Sequence, residues 1–291
     1  MTDHRLEDAR PDARRPGVLP RRALMAGTLA ILAQTALPAL AEAERRRFAV
    51  IDWALLETVL TLGLTPLAAP ELVLYDKLVV EPKVPSKVAD LGLRGALSFE
   101  RLALLRPDVV YGSNYSAWAA PQVEAIAPLK LFDLFLPGDP PLGRIMAMTE
   151  RVARDFGLSD QGRNRVETCR AVLSTLSRDL APARTRQVIA IDVGDANHIR
   201  VYGKDSLFGD VLSRLGLEIA WTASTRYSAN APVGMEALAS FPNAFLIIVG
   251  PVPPEAKAAI ETGALWQALP AIERGLYAVL PPCNAFGALP T

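Results

Sequence analysis

Residues 88–115 read VADLGLRGALSFERLALLRPDVVYGSNY, and this stretch decides the fold class. Arg94 is the one cation between Val88 and Glu100, and it lies in a loop flanked by Gly92 and Gly95. Ser98 is placed to cap a short amphipathic helix that runs to Leu105. Pro107-Asp108 then turns the chain into a β-branched strand, Val109 to Gly112, which ends in a polar loop carrying Tyr115. Loop, helix, strand and loop in this order make one unit of a parallel sheet and bring Arg94 and Tyr115 towards the same sheet edge. Ligands of open α/β sheets bind at the carboxyl ends of the strands. The stretch therefore predicts a cleft that reads a small polar ligand with a guanidinium and a phenol. The plainer readings stand beside it. An arginine near a helix start is ordinarily a surface residue, disfavoured there by the helix dipole, and a tyrosine in an exposed loop is commonplace.

Working outward, Phe48 to Asp52 reads as a first strand and Trp53 to Leu62 as a helix closed by Gly63. Pro66 to Ala69 is a second strand, Leu78 to Lys87 is irregular, Pro121 to Ile126 is a short helix and Leu129 to Asp133 a further strand. After the breaker cluster Pro137 to Pro141 come two helical patterns, Leu142 to Phe156 and about Ser159 to Leu180. The first of these, over 141–158, is expected to be a strut between two α/β regions, 44–140 and 159–291. Strands resume at Gln187–Val193 and Ile199–Tyr202. The second region echoes the first. Val59 to Leu64 has a counterpart in Val211 to Leu217, and Glu100 to Val110 has one in Glu236 to Leu246, in the same order. Two lobes of similar build follow, and clefts between domains favour ligands.

The chain has 291 residues, 51% of them apolar and 21% charged, with no net charge. It can bury a core, and nothing suggests nucleic acid, which needs a basic patch. Residues 1–43 differ in kind. Arg5, Arg10, Arg14, Arg15, Arg21 and Arg22 precede an uncharged apolar run, Ala23 to Ala41, and Ala41-Glu42-Ala43 offers a small-residue cleavage site. This is an export signal, and the paired Arg21-Arg22 reads as the twin-arginine type. The alternative, a membrane anchor, meets Gly27, Gln34 and Pro38 in a run at the short end of a spanning helix. Cleavage near Ala43 would leave a soluble protein in the periplasm with a net charge near minus one, one histidine, His198, and two cysteines, Cys169 and Cys283.

Enzyme signatures are missing. There is no G-x-S-x-G elbow, no H-E-x-x-H and no phosphate-binding G-x-x-x-x-G-K-[ST]. Gly92 to Gly95 lacks the third glycine of a dinucleotide loop. One histidine and two distant cysteines make no metal site, and His198 lies in a polar turn. Trp118 and Trp221 read as core or rim aromatics. Tyr227, in the polar loop 222–230, is a better ligand contact.

The chain after the signal resembles the periplasmic iron–siderophore binding proteins of ABC importers, most of all the ferric hydroxamate, or ferrichrome-type, members. The likeness rests on Ile51 to Glu57 with Leu62 to Pro66, on Val80 to Pro85, on Asp90-Leu-Gly-Leu-Arg94, on Leu105 to Asp108, and on Ser206 to Phe208 with Leu265 to Pro270. The resemblance implies two α/β lobes joined by one long helix, with a shallow ligand cleft between the lobes that closes little. It implies that Arg94 and Tyr115 hold hydroxamate oxygens. It implies no enzyme activity, no cofactor and no metal ligand from the protein, since the siderophore already surrounds the iron. Tyr227 stands where a second-lobe aromatic is expected. Leu78 replaces an aromatic before the Glu-Pro segment, and Asn284 and Phe286 occupy the aromatic turn near the C-terminus, making that wall less aromatic. Relatives continue for another helix where this chain stops at Thr291, so the second lobe is expected to be less well covered. Glu124, rather than Gln122, is the first-lobe candidate for docking a monomeric binding protein on its permease. Rival readings are a haem or cobalamin-like chelate carrier, which would need His198 or a tyrosine as axial ligand, and a two-lobed α/β transferase.

Overall fold

The computed structural model describes residues 46–79, 81–223 and 232–290. Its first sheet begins at β1 (Phe48–Val50), wholly buried. Asp52 follows in extended conformation and accepts from the amides of Ala54 and Leu55, capping α1 (Trp53–Thr61). Gly63, at φ 80°, ends that helix in a conformation costly for any residue with a Cβ. Leu67 then donates to Phe48 O at 2.7 Å, and β2 (Ala68–Ala69) follows. Next come α2 (Leu72–Leu78) and β3 (Ala89–Asp90), the latter parallel to β2. β4 (Gly92–Leu93) and β5 (Ala96–Leu97) pair antiparallel, Leu93 against Ala96, so Arg94 and Gly95 form the tip of a two-residue hairpin. Ser98 caps α3 (Phe99–Leu105), as the sequence predicts. β6 (Val109–Ser113) is parallel to β1, and a 3-10 turn over Asn114–Ala119 leads into α4 (Ala120–Glu124) and then β7 (Leu129–Phe132), parallel to β6.

The sheet order β1–β6–β7 is covered on one side by α1 and by α5 (Leu142–Asp155), whose Ile145, Met148, Val152 and Ala153 are buried in the first core. The longest helix is α6 (Ser159–Asp179), and it carries the chain to the second sheet. α5, within the connection expected over 141–158, lays its apolar face on the first core, and α6, which also lays Val166, Cys169 and Leu173 on that core, carries the chain on to the second sheet. Gly162 lets α6 approach α5 closely, since a Cβ there would stand 2.5 Å from the Cβ of Ala153.

The second sheet opens with β8 (Gln187–Val193) and β9 (His198–Tyr202), an antiparallel pair. α7 (Leu207–Arg214), capped by Ser206, ends at Gly216 with φ 86°, and β10 (Glu218–Ile219) returns parallel to β8. β11 (Val233–Gly234) pairs with β9, and β12 (Phe245–Gly250) runs parallel to β8. The short helices α8 (Pro254–Thr262), α9 (Ala264–Gln267) and α10 (Pro270–Glu273) lead to β13 (Tyr277–Pro282), parallel to β12. The sequence echo is thus an echo of topology. In each lobe a first strand, a helix ended by left-handed glycine and a short return beside that strand are followed by a second parallel neighbour. Trp221 and Trp266 are buried in the second core.

Further contacts join the lobes beyond α6, and Leu207 and Val211 of α7 reach the first core. The amide of Leu142, at the start of α5, donates to Asp210 of α7 at 2.8 Å. The segment after β13 returns to the first lobe, where Phe286, Ala288 and Leu289 pack against the first core. There the two carboxyl oxygens of fully buried Glu57 accept from the Asn284 side chain at 2.8 Å and from the Ala288 amide at 2.7 Å. Cys169 and Cys283 are free thiols, each pushed up in pKa by burial.

Candidate ligand-binding site

The carboxyl ends of β1 and β6 lie side by side, and the residues that follow them build a cavity of about 380 Å³. β1 delivers Asp52 and Trp53, β6 delivers Tyr115 and Ser116, the turn after β2 delivers Glu71, and the hairpin tip delivers Arg94. Phe286 arrives from the segment after β13. Strand ends supply rigid mounts, and the loops between them carry the polar groups.

Arg94 is held on two sides. Its guanidinium lies 3.7 Å from the ring centroid of Trp53, and its Nε donates to Glu71 Oε2 at 2.5 Å. Trp53 is itself fixed, its indole N–H donating to Pro70 O at 3.0 Å and its ring meeting Tyr75 edge-on. The hairpin is anchored below: Asp90 accepts from the amides of Leu72 and Gly92, while Arg101 donates to Asp90 O. With Nε and one face occupied, the Nη edge remains as a fork of donors suited to paired anionic oxygens.

Tyr115 packs against Phe135 and Phe286, with ring centroids 5.1 and 4.8 Å away, and Phe135 and Phe286 also meet each other. Its amide is tied to Ser113 Oγ at 3.2 Å. The Ser113 hydroxyl donates in turn to Asp52 at 2.5 Å. Burial raises the pKa of Asp52, against the opposing effects of the Ser113 hydroxyl, two backbone amides and Arg94. Tyr115, Phe286 and Trp118 give the cavity an aromatic lining, Trp118 half exposed and set beside Phe99.

Arg94, Tyr115 and Phe286 therefore meet in one cavity, as proposed from the sequence. Two other candidates sit elsewhere. Asn284 is buried and spends its amide on Glu57, because a carboxyl group sealed in the first core requires donors. Leu78 ends α2 and packs partly against the first core without lining the cavity. Tyr227 lies outside the described residues. Glu124 is exposed at the end of α4. His198 is exposed beside Asp195, away from the cavity. Sequence reasoning missed Glu71, Asp52 and the role of Trp53 as a platform. The run Ile51-Asp-Trp53 carried a signal for the last two, an N-cap acid immediately ahead of an aromatic at a strand end. Trp118, read as core or rim, lines the cavity. Among the described residues no group of three histidine, cysteine or acidic side chains could hold a metal ion, and no helix is long and apolar enough to cross a membrane.

Residues 49–282 match the family model described as periplasmic binding protein. The chain is 25% identical over 244 residues to the iron(3+)-hydroxamate-binding protein FhuD of Escherichia coli K12, covering 83% of this chain and 81% of that one. The crystal structure of the siderophore binding protein FhuD from Vibrio cholerae, bound to Fe3+–Desferal, superposes with a TM-score of 0.78 at 26% identity, over 84% of this chain and 92% of that one. The petrobactin-binding protein YclQ of Bacillus subtilis shares the fold at a TM-score of 0.66 and 19% identity, over 81% and 82% of the two chains. With two α/β lobes, a helical strut and a cavity at the strand ends of the first lobe, this chain belongs to the periplasmic binding protein family.

Proposed function

We propose that the protein binds a ferric siderophore of the hydroxamate type and delivers it to an ABC importer of the inner membrane. The observation that carries this reading is the cavity in which Arg94, stacked on Trp53 and braced by Glu71, shares the lining with Tyr115 and Phe286, whose rings pack together. Three hydroxamates already give iron six oxygen ligands, so recognition falls to donors that address those oxygens and to walls that fit the complex. Arg94 Nη groups donate to the carbonyl and N–O oxygens of the hydroxamates, and charge-assisted bonds of this kind are the stronger class. Tyr115 adds a phenol, and Trp118 and Phe286 supply apolar surface. The similarity to the two FhuD proteins supports the ligand class.

The same reading covers the rest of the pathway. The protein acts as a binding module without turnover. Residues 1–43 direct its export, by the twin-arginine route, to the periplasm, where it works as a monomer. Glu124 on the exposed end of α4 meets a basic residue of the permease.

A panel of ferric siderophores titrated against intrinsic fluorescence tests the proposal, because Trp53 and Trp118 line the cavity. Saturable quenching by ferric hydroxamates and none by the iron-free compounds is expected. Equal response to the iron-free compounds, or none to any ferric hydroxamate, would overturn it.

A further inference from the structure

Glu71 is placed at the N-terminus of α2, where its carbonyl accepts from the amides of Leu74 and Tyr75 but its carboxylate does no capping. Its side chain makes no capping hydrogen bond, and the amide of Leu72 is served by Asp90 instead. Its backbone sits at φ 52° and ψ 45°, a left-handed conformation that residues other than glycine seldom adopt. A glycine or asparagine would fill that position more easily. What the conformation achieves is contact with the hairpin tip. The Glu71 amide donates to Gly92 O at 2.8 Å, and its carboxylate, with a side chain only 15% exposed, pairs with Arg94 Nε.

Two consequences follow. The first is orientation. With Nε bound to Glu71 and one face on Trp53, rotation of the guanidinium is blocked, and its Nη groups make no hydrogen bond to the described residues. The second is charge. Among the described residues lining the cavity, Arg94 is the only cation, and Glu71 and Asp52 are acids. The site offers fork geometry to an oxygen pair without offering excess positive potential.

We infer that Glu71 is the positioning residue for Arg94 and sets the charge class of the ligand: the site accepts ferric complexes that are neutral or cationic overall and rejects anionic ones. This rests on the proposed siderophore-binding function. A ferric trihydroxamate is neutral, a linear one with a terminal ammonium is monocationic, and a ferric tris-catecholate is trianionic. The oxygen fork can address all three, so net charge decides among them.

The test is a charge series on the full-length mature protein. Dissociation constants are measured by fluorescence quenching for a neutral ferric trihydroxamate, a monocationic ferric trihydroxamate and a trianionic ferric tris-catecholate. The wild type should bind the first two and discriminate against the third. In Glu71→Gln, affinity for the neutral complex should fall modestly, because Arg94 is held less firmly. Affinity for the trianion should rise, narrowing the ratio by about tenfold or more. Glu71→Asp should restore the wild-type ratio. A purely structural role would weaken all three ligands together and leave the ratio fixed, which overturns the inference while leaving the proposed function intact. Equal wild-type affinity for the trianion and the neutral complex overturns it too. Failure of the wild type to bind any member of the series overturns the proposed function and this inference with it.

Discussion

At the scale of single residues, Arg94 and Asp52 carry opposite electrostatic problems. Arg94 is one-third exposed, stacked and paired, and keeps its charge for a ligand. Arg94→Ala should weaken ferric hydroxamate binding by more than ~1.5 kcal/mol, about tenfold or more in dissociation constant, read from quenching titrations. Asp52 is buried, and desolvation raises its pKa above the usual 3.8. A carboxyl group whose pKa rises on folding adds stability that is full below its unfolded pKa and is lost as pH climbs through its folded one. Relative to Asp52→Asn, the wild type should therefore lose stability as pH rises from the ordinary carboxylate value through the raised value of the folded state. Urea midpoints of both proteins across that range would show this. Arg94 was legible in the sequence because a lone cation between glycines, ahead of a capped helix, leaves few places to go. Glu71 was not, since its neighbour in space lies 23 residues on and no periodicity marks a left-handed cap.

At the scale of elements, the strands β1, β2, β6, β7, β8 and β9 and the helices α1, α3, α4, α5 and α6 could be read from caps, breakers and apolar runs, whereas the short strands β3 to β5 and the helix α2 could not. Ser98 and Pro107-Asp108 bound α3, Gly63 ends α1 where the sequence placed it, and Gly216 ends α7 at the matching point of the echo. The identity of the strut could not be read that way. α5 and α6 are both amphipathic and both reach the first core, through Ile145, Met148 and Val152 of α5 and Val166 of α6, and only the tertiary structure shows α6 running on to the second sheet. Their crossing depends on Gly162. Gly162→Ala would gain about 1 kcal/mol of helix propensity. It would also push a methyl to 2.5 Å from the Cβ of Ala153, an overlap on rigid helix atoms that costs about 1–3 kcal/mol. The overlap wins, and the variant should be net destabilised, with a lowered urea midpoint and an unchanged slope.

At the scale of the whole molecule, the lobes are joined by α6, by Leu142 to Asp210, and by Glu57 to the segment after β13. Glu57→Ala would leave the Asn284 amide and the Ala288 N–H without this acceptor inside the first core. It should cost about 3 kcal/mol in denaturant unfolding. Cys283, half-buried one residue before Asn284, should then react faster with a thiol reagent as the segment loosens. This is the same contact that removed Asn284 from the ligand site. A short polar turn gives no sign that it will pair with a glutamate 227 residues earlier, which is why the sequence misread it.

The return of residues 284–289 to the first core also sets an order of events. A ribosome has synthesised the whole first lobe, the strut and every strand of the second before it makes Phe286 and Ala288. Until then the Asn284 and Ala288 donors to Glu57 do not exist, the first core lacks part of its cover, and one aromatic side chain of the cavity is missing. The first lobe to be made is thus completed by residues made after the described strands of the second, and the nascent chain cannot hold a finished cavity until residues 284–289 have been made.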